Sequence, residues 1–90
     1  MKKRTTVNLT FEEPKSSRIR DKRLVQSVEV RAVKGILYVS VQVPGESEPR
    51  ARQIVTTGQS VSVRLANGAL LPVDAVSVFG NEGCEAEVAY

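Results

Sequence analysis

The stretch Val28-Glu29-Val30-Arg31-Ala32-Val33-Lys34-Gly35-Ile36-Leu37-Tyr38-Val39-Ser40-Val41-Gln42-Val43 decides the fold. Apolar side chains recur every second residue on both sides of Lys34-Gly35: Val28, Val30 and Ala32 before it, then Leu37, Val39, Val41 and Val43. A period of two places each set on one face of an extended chain. The break between the runs is two residues long and contains a glycine, so the pair reads as a β-hairpin. The other face of the second run carries Ile36 and Tyr38 beside Ser40 and Gln42. That is more apolar than a face meeting water alone, and it predicts a strand covered on both sides.

The same period extends in both directions. Val7, Leu9 and Phe11 alternate with Thr and Asn, Pro14 interrupts the ladder, Lys15-Ser16-Ser17 reads as a turn, and the first run continues upstream to Leu24. Beyond Pro44-Gly45 and a charged loop comes a short extended run over residues 52–56. Val61, Val63 and Leu65 then alternate with Ser60, Ser62 and Arg64. Asn67-Gly68 follows, and both residues tolerate positive φ, so a two-residue hairpin turn is expected, with residues 69–79 as the returning strand and Pro72 marking an edge or bulge. In the last run Cys84, Ala86, Val88 and Tyr90 share a face. About seven short strands and no helical period predict an all-β chain, a small antiparallel sandwich or partly open barrel.

Ninety residues is below the usual size for two cores, so residues 1–90 are expected to form a single domain, with 1–23 a basic N-terminal strand and turn segment. No apolar run approaches the length of a membrane-spanning helix, and Thr-Thr-Val-Asn-Leu-Thr follows the basic start where a signal peptide would be apolar. The chain is accordingly expected in the cytoplasm or assembled in a virion, not secreted and not in a membrane. Asn8-Leu9-Thr10 matches a glycosylation acceptor, a three-residue pattern common by chance.

No enzyme is expected. The chain has no His to work near neutral pH, and its single cysteine, Cys84, lacks an imidazole to activate it and sits on an apolar face. Glu85 and Glu87 share a face of the last strand, which reads as a solvated surface. Glu46 and Glu48 do not have the spacing of a calcium loop, and no glycine-rich phosphate loop occurs, so neither a metal nor a cofactor is expected.

The net charge of +3 conceals a split. Residues 1–23 carry eight basic side chains (Lys2, Lys3, Arg4, Lys15, Arg18, Arg20, Lys22, Arg23) against Glu12, Glu13 and Asp21, a net +5. The remainder carries five basic and seven acidic groups, a net −2. Arg18, Arg20 and Lys22 recur every second residue, flanked by Lys15 and Arg23, and would line one face of an extended chain with Ile19 turned inward. Such a row suits the phosphates of a polyanion, or guards an edge strand against aggregation. Phe11, Phe79 and Tyr90 fall on the faces assigned to the core, which leaves Tyr38 alone as an outward aromatic and favours phosphate over base contacts.

Three roles fit these features. The first is a self-associating structural protein, such as a virion or phage component, whose basic segment meets a polyanion or the acidic Glu82, Glu85 and Glu87 of a neighbour, with Ile36 and Tyr38 in the interface. The second is a small nucleic-acid-binding barrel. The third is an edge-strand adaptor or inhibitor of another protein.

Overall fold

A computed structural model describes residues 4–43 and 45–90; Lys2, Lys3 and Pro44 lie outside the described residues. The chain is all-β. Its strands are β1 (Thr6–Thr10), β2 (Lys15–Arg18), β3 (Leu24–Val25), β4 (Val28–Lys34), β5 (Leu37–Val41), β6 (Arg50–Val55), β7 (Ser60–Val63), β8 (Leu71–Pro72), β9 (Val76–Gly80) and β10 (Glu85–Ala89). The first sheet has the order β1-β10-β4-β7, the second β2-β9-β5-β6, and β3 pairs with β8 as a separate ribbon. Every pairing is antiparallel. The sheets do not close into a barrel.

The expected runs are all extended, two of them are divided, and residues 15–17, expected as a turn, belong instead to strand β2, which pairs with β9. Residues 24–33 yield β3 and β4, and residues 69–79 yield β8 and β9 with a 3-10 turn, Val73–Ala75, between them. Period two also sorts the core: Val28, Val30 and Ala32 of β4 and Leu37, Val39 and Val41 of β5 are buried in one cluster with Phe11, Val63, Val78, Ala86 and Val88. These residues come from both sheets, so the sheets bury their inner faces against each other as a sandwich.

The expected hairpins are not formed. β4 pairs with β10 and β7, whereas β5 pairs with β9 and β6. Gly35, at φ +86°, turns the chain from one sheet into the other, and its N–H donates to Thr57 Oγ1 at 2.9 Å. The apolar faces of the two runs therefore meet across the core instead of lying side by side. Asn67-Gly68 behaves similarly. Both residues adopt positive φ (59° and 70°) and the Ala69 N–H donates to the Ala66 carbonyl at 3.3 Å, which is the expected tight turn. Yet β7 before it pairs with β4, and β8 after it pairs with β3.

The two sheet orders match position by position: β1 with β2, β10 with β9, β4 with β5, and β7 with β6. Each of these pairs is consecutive in sequence, so four short connections carry the chain across the sandwich. One of them runs through Phe11, the largest of the fully buried side chains, whose ring packs where Gly80 of β9 has no Cβ.

Candidate nucleic-acid interface

The crossing topology sorts the strand charges by sheet. β2, β9, β5 and β6 contain Lys15, Arg18, Arg50 and Arg52 and no Asp or Glu. The strands of the first sheet contain Glu29, Glu85 and Glu87 together with Arg31 and Lys34. Glu87 lies opposite Arg31 and Glu85 opposite Lys34, so these carboxylates face cations across the strands. Glu82 is exposed in the turn before β10. Among the described residues no ion pair joins the 15–23 segment to Glu82, Glu85 or Glu87. The charge split along the chain thus becomes, in space, a cationic second sheet against a balanced first one.

The basic segment is only partly a strand. β2 is an edge strand, and Lys15 and Arg18 stand exposed on it opposite Gly80 and Ser77. Beyond Arg18 the chain leaves the sheet, yet Arg18, Arg20 and Lys22 line one groove together with Ser16 and Asp74. Ile19 packs against the core, as the alternation predicts. Arg23 does not join the row. Its guanidinium lies 5.6 Å from the centre of the Tyr90 ring and 3.8 Å from Asp21 Oδ2.

Asp21 fixes this loop. Its Oδ1 accepts from the Arg23 backbone N–H at 2.8 Å and its Oδ2 from the Tyr90 hydroxyl at 3.1 Å. The backbone N–H groups of Val73 and Asp74 donate to the carbonyls of Arg23 and Asp21, both at 3.0 Å. The Arg23 N–H, aided by the Tyr90 hydroxyl and the Arg23 charge, holds the Asp21 carboxyl below its ordinary range. Removal from water, then the bond to Asp21 and its charge, push the Tyr90 hydroxyl up. A lowered Asp21 stabilises the fold above its unfolded pKa of about 3.9, and this contribution is lost as pH falls through the lower folded value. A raised Tyr90 contributes below about 10 and is lost as pH climbs through its folded value. Tyr90→Phe should move the Asp21 midpoint part of the way back up in a carboxyl NMR titration, because the Arg23 N–H stays in place. An unmoved midpoint would rule out the Tyr90–Asp21 bond.

Ile36 and Tyr38 are both exposed, at 46% and 44%, so among the described residues β5 is covered on one face only, not on both as its pattern predicts. Tyr38 is not the lone outward aromatic: Phe79 stands beside it on the outer face of the second sheet, ring centres 6.1 Å apart and tilted by 58°. The expected core position of Phe79 is corrected by the Val73–Ala75 turn. Leu71, Val73 and Ala75 are buried, and then Val76 and Val78 are, so the alternation changes phase between Ala75 and Val76. Phe11 is buried, and Tyr90 packs partly against the core as expected.

The register lines up Ser16, Phe79, Tyr38 and Ile54 as a row across all four strands. Arg18, Ser77 and Ser40 form the adjacent row, and Arg52 borders the same surface at the far edge. Ile54 is 64% exposed. Arg52 and Ile54 lie in a run read only as extended; that Ile54 faces Tyr38 and Arg52 borders the same surface depends on the pairing of β6 with β5, which sequence spacing does not disclose.

Arg18, Arg20, Lys22 and Arg52 take part in no ion pair among the described residues, whereas Arg50 is bound by Glu46 through two hydrogen bonds. Among the described residues no cluster of His, Cys, Asp and Glu could hold a metal ion, Cys84 is buried, and no helix is long and apolar enough to cross a membrane. Comparison with protein-family models, with curated proteins and with solved structures finds no match.

Proposed function

We propose that the protein is a non-enzymatic binding module whose second sheet offers its outer face and the adjoining groove to a polyanion. The supporting observation is the absence of any carboxylate from the four strands of that sheet, together with the guanidiniums of Arg18 and Arg52, which form no ion pair among the described residues. Free cations on one face release counterions when phosphates replace their solvent, so affinity falls steeply with salt. Titration of a duplex oligonucleotide and of heparin at low salt should give binding, with log affinity linear in log salt. Arg18→Ala with Arg52→Ala should flatten the slope for the duplex by about two phosphate units. No binding of either probe at low salt contradicts the reading.

A second reading, a self-associating structural subunit such as a virion component, is favoured by the exposed Ile36, Tyr38 and Ile54 and by the unpaired outer edges of β1, β2, β6 and β7. In that role the same face would be covered by another copy.

A further inference from the structure

We infer that the polyanion is a single-stranded nucleic acid whose bases stack on Tyr38 and Phe79; this rests on the polyanion reading and adds the chemical class of the ligand. A polyanion such as heparin asks for cations alone. The second sheet offers more, in two parallel rows. Ser16, Phe79, Tyr38 and Ile54 span about 14 Å across four strands, and the row of Arg18, Ser77 and Ser40 lies about 7 Å away along the strands. A strand laid along these rows places bases on the aromatic one and phosphates on the other, between Arg18 at one sheet edge and Arg52 at the opposite edge.

The aromatic pair has the features of a stacking platform. Tyr38 is 44% exposed, Phe79 lies outside the core cluster, and each keeps a ring surface toward solvent on the same depression. Their mutual tilt of 58° offers two ring planes to successive bases rather than one continuous surface. Ser16, Ser40 and Ser77 border the rings and supply hydroxyls that both donate and accept, without adding charge. Ring faces are open in a single strand and closed in a duplex, so an exposed sheet with aromatics discriminates between them.

Charge argues against a second copy of this chain docked through the same face. Two such faces in contact would bring together the guanidiniums of Arg18 and Arg52 from both molecules, with no carboxylate on the face to offset them.

The test compares three probes on the full chain: a single-stranded oligonucleotide on the order of ten nucleotides long, the duplex of the same sequence, and heparin. The single strand should bind most tightly and quench tyrosine fluorescence. Tyr38→Ala and Phe79→Ala should each weaken it by roughly 5- to 100-fold while leaving heparin binding unchanged. Both side chains lie outside the core cluster, and Tyr38→Phe provides a variant that keeps the ring and should keep the affinity. Equal binding of single strand and duplex, with no loss in the alanine variants, overturns the stacking inference and leaves the polyanion reading standing. Failure of all three probes overturns both. Light scattering covers the remaining occupant: a multimer that both alanine variants convert to monomer, with no single-strand binding, assigns the face to a second copy and overturns the inference.

Discussion

Gly35→Ala should lower the unfolding free energy by about 2–5 kcal/mol, read as an earlier midpoint in urea at unchanged slope. Two effects add at this position. The residue sits at φ +86°, where a side chain costs about 1–2 kcal/mol. Its new Cβ would also lie 2.5 Å from the buried Cys84 Sγ, an overlap of the kind that costs about 1–3 kcal/mol. A chain of ninety residues holds roughly 5–13 kcal/mol in total, so a large share disappears. Cys84→Ala in the same background separates the two effects. It should recover the overlap and leave the backbone cost, giving a coupling of opposite sign to the single losses. An unchanged midpoint in Gly35→Ala would mean that the crossing between β4 and β5 is not the tight one described.

The second large effect is at Phe11. Phe11→Ala should cost about 3–5 kcal/mol, since it empties the site of the largest fully buried side chain. Gly80 makes the result diagnostic. A Cβ there would approach Phe11 Cγ to 2.8 Å, so Gly80→Ala should destabilise the parent by about 1–3 kcal/mol. In the Phe11→Ala background the same methyl has room and should cost little or become favourable. Additive losses measured by chemical denaturation would show that Phe11 and Gly80 do not touch.

The two glycines show what the sequence made legible and what it did not. Period two identified most strands and the core positions of β4, β5 and β10, though not β2, whose first residues read as a turn, nor the buried Val55, Val76 and Val78. Partners were a different matter. Lys34-Gly35 and Asn67-Gly68 carry the local chemistry of hairpin turns, yet the first leads the chain across to the other sheet and the second into a separate ribbon. A turn fixes the reversal of the chain; whether the next strand pairs beside the last or packs beneath it is decided by long-range burial. The face of Phe79 was lost for a related reason. Pro72 marked an irregularity, but a 3-10 turn that changes the phase of alternation has no signature of its own in Val73-Asp74-Ala75.

The candidate site was legible to the same extent. Arg18, Arg20 and Lys22 stood out by spacing, and the structure brings them to one groove, while Arg23 turns to Asp21 and Tyr90. Glu85 and Glu87, conspicuous as an acidic end, lie opposite Lys34 and Arg31. Arg52 and Ile54 join the site only through strand order, and Phe79 through the change of phase at the Val73–Ala75 turn as well. The net charge of +3 is in this way less informative than its distribution, which follows the sheets rather than the chain.

That distribution is tested most directly by comparing two double variants in the salt dependence of duplex binding. Arg18→Ala with Arg52→Ala removes cations from the second sheet, and Arg31→Ala with Lys34→Ala removes the same charge from the first. The expected result is a slope lowered by about two in the former and unchanged in the latter. Equal loss from both pairs would mean that net charge alone governs binding, and would contradict a cationic face built by the fold.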